Sequence, residues 1–329
     1  MSRGLGDVYK RQYWETGLII SPTPYSTVRT SSLRTLLKEK PNYNPSRKPP
    51  LKRQPTAQSD MDLLRLKHLF AGCLLAASTL PAWGQSAPTL AIRIDDLGAF
   101  HSVNEACIQT YQSGIARSVE VMPVAAWYPE AVRLLKENPG LDAGLHLVIT
   151  SEWENVKWRP LTHCPSLTDE NGYFYPMMGA NPAYPGQSVM ENKWDIKEVE
   201  QEFRAQIEMA LKNIPQLSHM TGHMLSTGFT KEVNELVLRL AKEYNLPSID
   251  RMDSPEDYRF TYIGYDGPSR TSAEKEESFI RSLNKLEAGK RYLFLDHPAL
   301  DNEEMRTVFH IGYEQVALDR QGVTDLLTS

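Results

Sequence analysis

The chain has 329 residues, 41% of them hydrophobic, which suits one large globular domain or two small ones. Its net charge of −5 is unevenly spread: removing the +7 of residues 1–60 and the +1 of residues 61–84 leaves about −13 for residues 85–329. Such acidity argues against nucleic acid or an anionic membrane surface as a partner of that main portion.

Residues 1–60 hold eleven Lys or Arg against four Asp or Glu, with Pro and Ser spread through S-P-T-P-Y-S and N-P-S-R-K-P-P-L-K-R. Too little apolar surface is available there to offset chain entropy, so a disordered segment that is not part of the native protein is expected. From Met61 the pattern changes to a charged M-D-L-L-R-L-K, an apolar run ending at Leu80, and small residues around A-W-G-Q-S. This reads as an export signal over 61–84, placing the mature protein in the periplasm or outside the cell. The apolar run falls short of the ~20 residues that cross a bilayer, so no stable membrane span is expected. Loss of Cys73 with the signal would leave Cys107 and Cys164, and the sequence leaves open whether they pair or stay as separate buried thiols.

Over 85–329, strand-like runs alternate with helical periodicity. T-L-A-I-R-I-D-D predicts a strand, V-N-E-A-C-I-Q-T-Y-Q-S-G a helix, R-S-V-E-V-M-P a strand, Y-P-E-A-V-R-L-L-K-E-N-P a helix and A-G-L-H-L-V-I a third strand. A Trp-, Tyr-, Pro- and Gly-rich segment from Thr150 to about Lys193 has no periodicity, and a loop of that length is expected to act as a lid. Then follow a helix beginning D-I-K-E-V, the strand L-S-H-M-T-G, the helix E-V-N-E-L-V-L-R-L-A-K-E-Y, the strand L-P-S-I-D, a helix beginning A-E-K-E-E-S and the strand R-Y-L-F-L-D-H-P. The expected fold is α/β: a single parallel β/α barrel-like domain with active-site residues at the carboxyl ends of its strands. An open doubly wound sheet is the alternative, but no G-x-G-x-x-G follows the first strand.

The strand ends collect a short list of polar residues: Asp95 and Asp96, His146, His219 and His223, Asp250 and Arg251, Asp296 and His297. Adjacent carboxylates raise each other's pKa unless a cation lies between them. One carboxylate and two imidazoles converging on one barrel face would hold a divalent metal and leave a position open for water. Taken singly these residues have plain structural readings as helix caps, turns or hydrogen-bonded core histidines.

I-D-D-L-G, G-L-H-L, L-S-H-M-T-G-H-M and D-H-P-A, in that order, resemble the YdjC-type carbohydrate deacetylases, relatives of the polysaccharide deacetylases. The resemblance implies a barrel-like α/β fold and metal-assisted hydrolysis of the N-acetyl group of an amino sugar or glycan. Carried over, it makes Asp96, His146 and His223 the ligands of one divalent ion, zinc or magnesium. Asp95 becomes the general base and His297 a general acid or oxyanion partner, with His219 ranked behind His223. The pattern departs from the family at Thr221 and Leu225, where an aspartate and a histidine are usual. That departure keeps open an inactive carbohydrate-binding relative, and because one site can host related chemistries an O-acetyl esterase on the same metal site is a further alternative. In the lid, the aromatic faces of Trp153, Trp158, Tyr173 and Tyr175 are candidates for stacking on sugar rings, and Glu152 or Arg159 for bonding hydroxyls or a uronate, with packing of the long loop onto the barrel an equal alternative for each. Arg251 is a further substrate-binding candidate. The oligomeric state is not legible.

Overall fold

The structure is a computed structural model that describes residues 87–249 and 259–329 and the backbone of Val28–Arg29. The segment expected to be disordered (1–60, apart from Val28–Arg29), the stretch expected to be an export signal (61–84), Asp250 and Arg251 lie outside the described residues.

Among the described residues seven strands form one sheet: β1 (Val28–Arg29), β2 (Thr89–Leu97), β3 (Ser118–Val121), β4 (Asp142–Leu147), β5 (Leu217–Gly222), β6 (Thr261–Ile263) and β7 (Arg291–Asp296). Six helices of the described residues connect or follow them: α1 (His101–Gln112), α2 (Tyr128–Glu137), α3 (Ile196–Asn213), α4 (Lys231–Glu243), α5 (Ser272–Leu283) and α6 (Val316–Thr328). The strand order β5-β4-β3-β2-β7-β6 is parallel throughout, and the short β1 adds antiparallel to Thr89 and Leu90. β7 pairs with β2 over six residues, from Thr89↔Arg291 to Ile94↔Asp296, so the first long strand and the last lie side by side. At the other edge a parallel bridge from Met220 to Ser248 extends the sheet beyond β5. This is the barrel-like α/β arrangement, with helices following the strands in sequence. Among the described residues of L-P-S-I-D, Ser248 contributes that bridge where a strand was expected.

Side chains alternate along each strand between two unlike faces. Leu90, Ile92, Ile94, Val119, Val121, Leu145, Leu147, Met220 and Phe294 belong to the main core, together with helix residues such as Val103, Leu135, Phe203, Ile207 and Val237. The alternate positions carry Ala91 and Leu293, which form a small separate cluster with Ile249 and Phe260. Arg93, Asp95, Glu120, His146, His219 and Thr221 follow on that same alternation, all buried.

The segment from Thr150 to Lys193 contains no helix or strand longer than short 3-10 turns at Pro165–Leu167 and Val189–Glu191 and isolated bridges that pair Thr168 with Phe174, Met177 with Ser188 and Asn181 with Tyr184. Fixed contacts tie it down. The buried Glu202 of α3 accepts from the backbone of Leu161 and Thr162 at 3.0 and 2.9 Å, Glu198 accepts from Ser166 N at 2.7 Å, and Glu154 N donates to Phe309 O at 2.8 Å. It therefore covers the barrel as a docked strap. Cys107 and Cys164 are both free and buried.

Three elements have no counterpart in the sequence reading, and the first is the two-residue β1, which lies within a segment expected to be disordered. β6 is only three residues long and lacks an apolar run. α6 buries polar Arg320 and Thr324 beside its apolar residues and contains Gly322, so its pattern is not that of a one-sided surface helix.

Candidate metal centre

β2 ends in I-D-D-L-G, and there the backbone leaves the strand sharply: Asp96 adopts φ 75°, the left-handed region that a non-glycine residue occupies at a cost. The turn aims consecutive carboxylates into one site. Asp95 accepts both arms of the Arg93 guanidinium, at 2.9 and 3.0 Å. Asp96 accepts from Arg320 Nη2 at 2.9 Å through Oδ2, whereas its Oδ1 is buried without a hydrogen-bond partner. At the end of β5 the chain is held in the same unusual way, with Met224 and Leu225 at φ 50° and 68° directly after His223. Left-handed residues thus flank the site from both strands.

One ligand atom each from Asp96, His146 and His223 lie within 4.8 Å of one another, and all three residues are buried. His146 Nε2 faces Asp96 Oδ1 at 3.8 Å and Asp95 Oδ2 at 3.8 Å, and His223 Nδ1 lies 3.4 Å from Asp96 Oδ1. The remaining nitrogen of each ring meets protein: His223 Nε2 lies 3.1 Å from Glu152 Oε2, and His146 Nδ1 lies 2.8 Å from Thr221 Oγ1. Imidazoles that bind metal characteristically have the second nitrogen engaged in this way. A buried carboxylate oxygen with no donor, facing two imidazoles, fits a divalent cation held by one oxygen and two nitrogens.

The charges reflect this crowding. Burial pushes the Asp95 carboxyl up to about 7 despite the Arg93 guanidinium. Burial also opposes ionisation of Asp96, but His297, Arg320 and His223 outweigh it and hold that carboxyl well below its usual range. Burial, then the charge on His223, pushes His146 down to about 3, so its ring is neutral. For His223, burial is outweighed by Glu152 and Asp96, which raise it to about 10.

His297 follows β7 and is half-buried, its backbone N–H donating to Asp296 Oδ1 at 2.9 Å. Burial lowers its pKa, yet the Asp96 and Asp296 carboxylates prevail and raise it, favouring the imidazolium. Asp296 also accepts from Tyr265 OH at 2.7 Å.

Of the remaining candidates, His219 sits deeper in the barrel, 2.7 Å from Glu120 Oε1, and is not among the three clustered ligands. Trp153 and Trp158 are buried at 3% and 4% exposure, so neither offers an open face for a sugar. The Trp153 ring lies against Phe100, His310, Tyr313 and the Arg320 guanidinium, and Trp158 Nε1 donates to Thr150 O at 2.7 Å. Both rings build the floor of the strap. Arg159 is exposed and stacks on Tyr173 at 4.3 Å. Glu152 meets His223, not solvent, so its role lies behind the imidazole.

Arg93, Glu120 and Arg320 also belong to the site, although the sequence reading passed over them. Arg93 and Glu120 had a visible signal, since each is a charged residue at an alternate position within an otherwise apolar strand, A-I-R-I-D-D and S-V-E-V. Arg320 had none, because it arrives from α6, far along the chain.

Comparison with known proteins places these features in a family. The model of a family described as YdjC-like protein matches residues 89–329. A carbohydrate deacetylase of Thermus thermophilus is 31% identical over 239 residues, covering 67% of this chain and 80% of that protein. A chitooligosaccharide deacetylase of Yersinia pestis is 28% identical, covering 66% of this chain and 84% of its own length. A carbohydrate deacetylase of Enterococcus faecalis is 30% identical over 53% of this chain and 63% of its own length. A crystal structure from Enterococcus faecalis V583 superposes with a TM-score of 0.57 at 23% identity, covering 74% of this chain and 91% of that one, and so shares the fold.

Proposed function

The chain belongs to the YdjC-like protein family, and from that membership we propose that it is a hydrolase of carbon–nitrogen amide bonds, a metal-dependent carbohydrate deacetylase that removes the N-acetyl group of an amino sugar or glycan. Kinship with proteins named carbohydrate deacetylase and chitooligosaccharide deacetylase supports the reaction class. The observation that carries the metal dependence is Asp96 Oδ1, buried without a partner and facing two imidazoles.

Asp96, His146 and His223 would hold one divalent ion. Such an ion supplies Lewis acidity, polarising the acyl carbonyl and bringing the pKa of water from 15.7 toward ~7. Asp95, with Arg93 fixing both its oxygens, takes the proton from the attacking water. Water oxygen adds to the acyl carbon as the carbonyl π electrons move onto its oxygen, and the carbonyl then re-forms as the carbon–nitrogen bond breaks. His297, whose pKa is raised by neighbouring carboxylates, gives its proton to the departing amine nitrogen. The strap from Thr150 onward walls the site and limits bulk water, which strengthens each of these charge interactions. The signal-like stretch over 61–84 supports action outside the cytoplasm, in the periplasm or beyond the cell.

The test is elemental analysis of purified protein, paired with acetate release from N-acetylated and O-acetylated sugars. About one divalent ion per chain and acetate from the amino sugars are expected. Acetate from O-acetyl substrates alone would replace the amidase reading with an esterase one. A protein that takes up no metal and releases no acetate would overturn both.

A further inference from the structure

A neutral imidazole can accept a cation only through the nitrogen that carries no proton. If His146 is to use Nε2, which faces Asp96 Oδ1 at 3.8 Å, its proton must reside on Nδ1. The residues behind the ring decide this.

Nδ1 of His146 lies 2.8 Å from Thr221 Oγ1, and that hydroxyl donates to Glu120 Oε2 at 2.6 Å. A hydroxyl has one proton. Because it is committed to the carboxylate, Oγ1 presents only lone pairs to His146, and the imidazole has to be the donor. Glu120 has no proton of its own to return: its Oε1 lies 2.7 Å from His219 Nε2, and Arg93 Nε is 3.8 Å away. Every direction in the chain from His219 through Glu120 and Thr221 to His146 is therefore set.

The fold makes room for this arrangement at one residue. Glu120, Gly144 and His219 are register partners across β3, β4 and β5, while His146 and Thr221 pair one step further along. A Cβ on Gly144 would stand 2.2 Å from Glu120 Oε2 and 2.3 Å from His219 Nε2. The missing side chain is what allows Glu120 and His219 to meet across the middle strand.

We propose that Glu120 and Thr221 are positioning residues that lock His146 in its Nδ1–H form, leaving Nε2 bare toward Asp96 before any cation arrives. The proposal rests on reading Asp96, His146 and His223 as the metal-binding set. It identifies a carboxylate acting through a hydroxyl on a neighbouring strand, where a carboxylate placed directly behind the ring would do the same.

The first measurement is made on metal-free wild-type protein. Long-range proton–nitrogen NMR of the histidine side chains should show His146 protonated at Nδ1 and bare at Nε2. In Thr221→Val the ring should also populate the Nε2–H form, and zinc affinity, read by chelator competition, should fall about 10–100-fold. Thr221→Ser, which keeps the hydroxyl, should retain both the tautomer and the affinity. A wild-type His146 found as Nε2–H, or a folded Thr221→Val that keeps tautomer and affinity, overturns the lock. The wild-type spectrum decides even if the valine variant does not fold. The metal reading fails separately: wild-type protein that shows the Nδ1–H form but takes up no zinc loses the metal site and keeps the lock.

Discussion

The two faces of the same strands solve opposite problems. Outward, Ile92, Ile94, Val119, Val121, Leu145 and Leu147 bury hydrocarbon under the helices, and any apolar residue of similar volume would serve almost as well. Inward, one residue along, Arg93, Asp95, Glu120, His146, His219 and Thr221 bury charge and hydrogen-bonding groups that are unfavourable in a dry interior unless each finds a partner. The first face stabilises the fold. The second spends some of that stability on holding a carboxylate oxygen and two imidazoles where a cation can be bound, so its residue types are set by chemistry more than by packing.

Substitutions on the two faces should therefore separate activity from stability. Asp95→Asn keeps the shape and a hydrogen-bonding group but removes the base, and kcat should fall about 10²–10⁴-fold. Metal content should remain, since the Asp96, His146 and His223 set is intact; loss of metal would make Asp95 a ligand. Glu120→Ala leaves His219 and Arg93 without their shared carboxylate in a site closed to water. A cost of about 3–5 kcal/mol in chemical denaturation is expected. The pH dependence of this pair has a definite sign. The Glu120 carboxylate outweighs burial to raise the His219 pKa, so the pairing is complete below the ordinary imidazole range and is lost as pH rises through the raised value. The melting-temperature gap between wild type and Glu120→Gln should accordingly narrow as pH rises, and a gap that widens would show that the pair is not an ion pair. Leu145→Ala, on the outer face of the strand that carries His146, should cost about 2–5 kcal/mol while leaving kcat per folded molecule unchanged.

Much of the outer face could be read from the chain, because a fold that alternates apolar strands with helices leaves few architectures. The boundaries of β2, β4 and β7 and the spacing of the long helices follow from hydrophobic periodicity. Less of the inner face could be read. Asp95, Asp96, His146 and His223 stand at strand ends within recognisable short motifs, whereas Glu120 sits in the middle of S-V-E-V and looks like one polar interruption. Its meaning depends on His219 two strands away and on Gly144 between them, a relation that exists only after the sheet is assembled. Trp153 and Trp158 leave two readings open in the sequence, a sugar-stacking surface or packing of the long loop onto the barrel; the loop is docked and both rings are buried in the main core. α6 escaped because buried polar residues mask its periodicity, and Arg320 was hidden with it.

The smallest effect is expected where the same chemical groups meet in water. Glu200 and Arg204 of α3 and Arg239 and Glu243 of α4 form a run of short ion pairs, including Arg204 to Glu243 at 2.6 Å and Arg239 to Glu200 at 2.6 Å. Their distances rival that of Glu120 to His219, so distance alone would rank them as equals. Surroundings separate them: Arg239 and Glu243 are exposed, water solvates their charges in the unpaired state, and fixing long side chains in one geometry offsets what little the attraction contributes. Glu243→Gln should leave the melting temperature within measurement error at physiological salt, and any small loss seen at low salt should fade as salt is added. The Glu120 substitutions should respond little to added salt, because no counterion reaches the barrel interior. A salt-sensitive loss at Glu120 would mean that water enters the lumen and that the contrast between the two environments is weaker than the burial of these side chains implies.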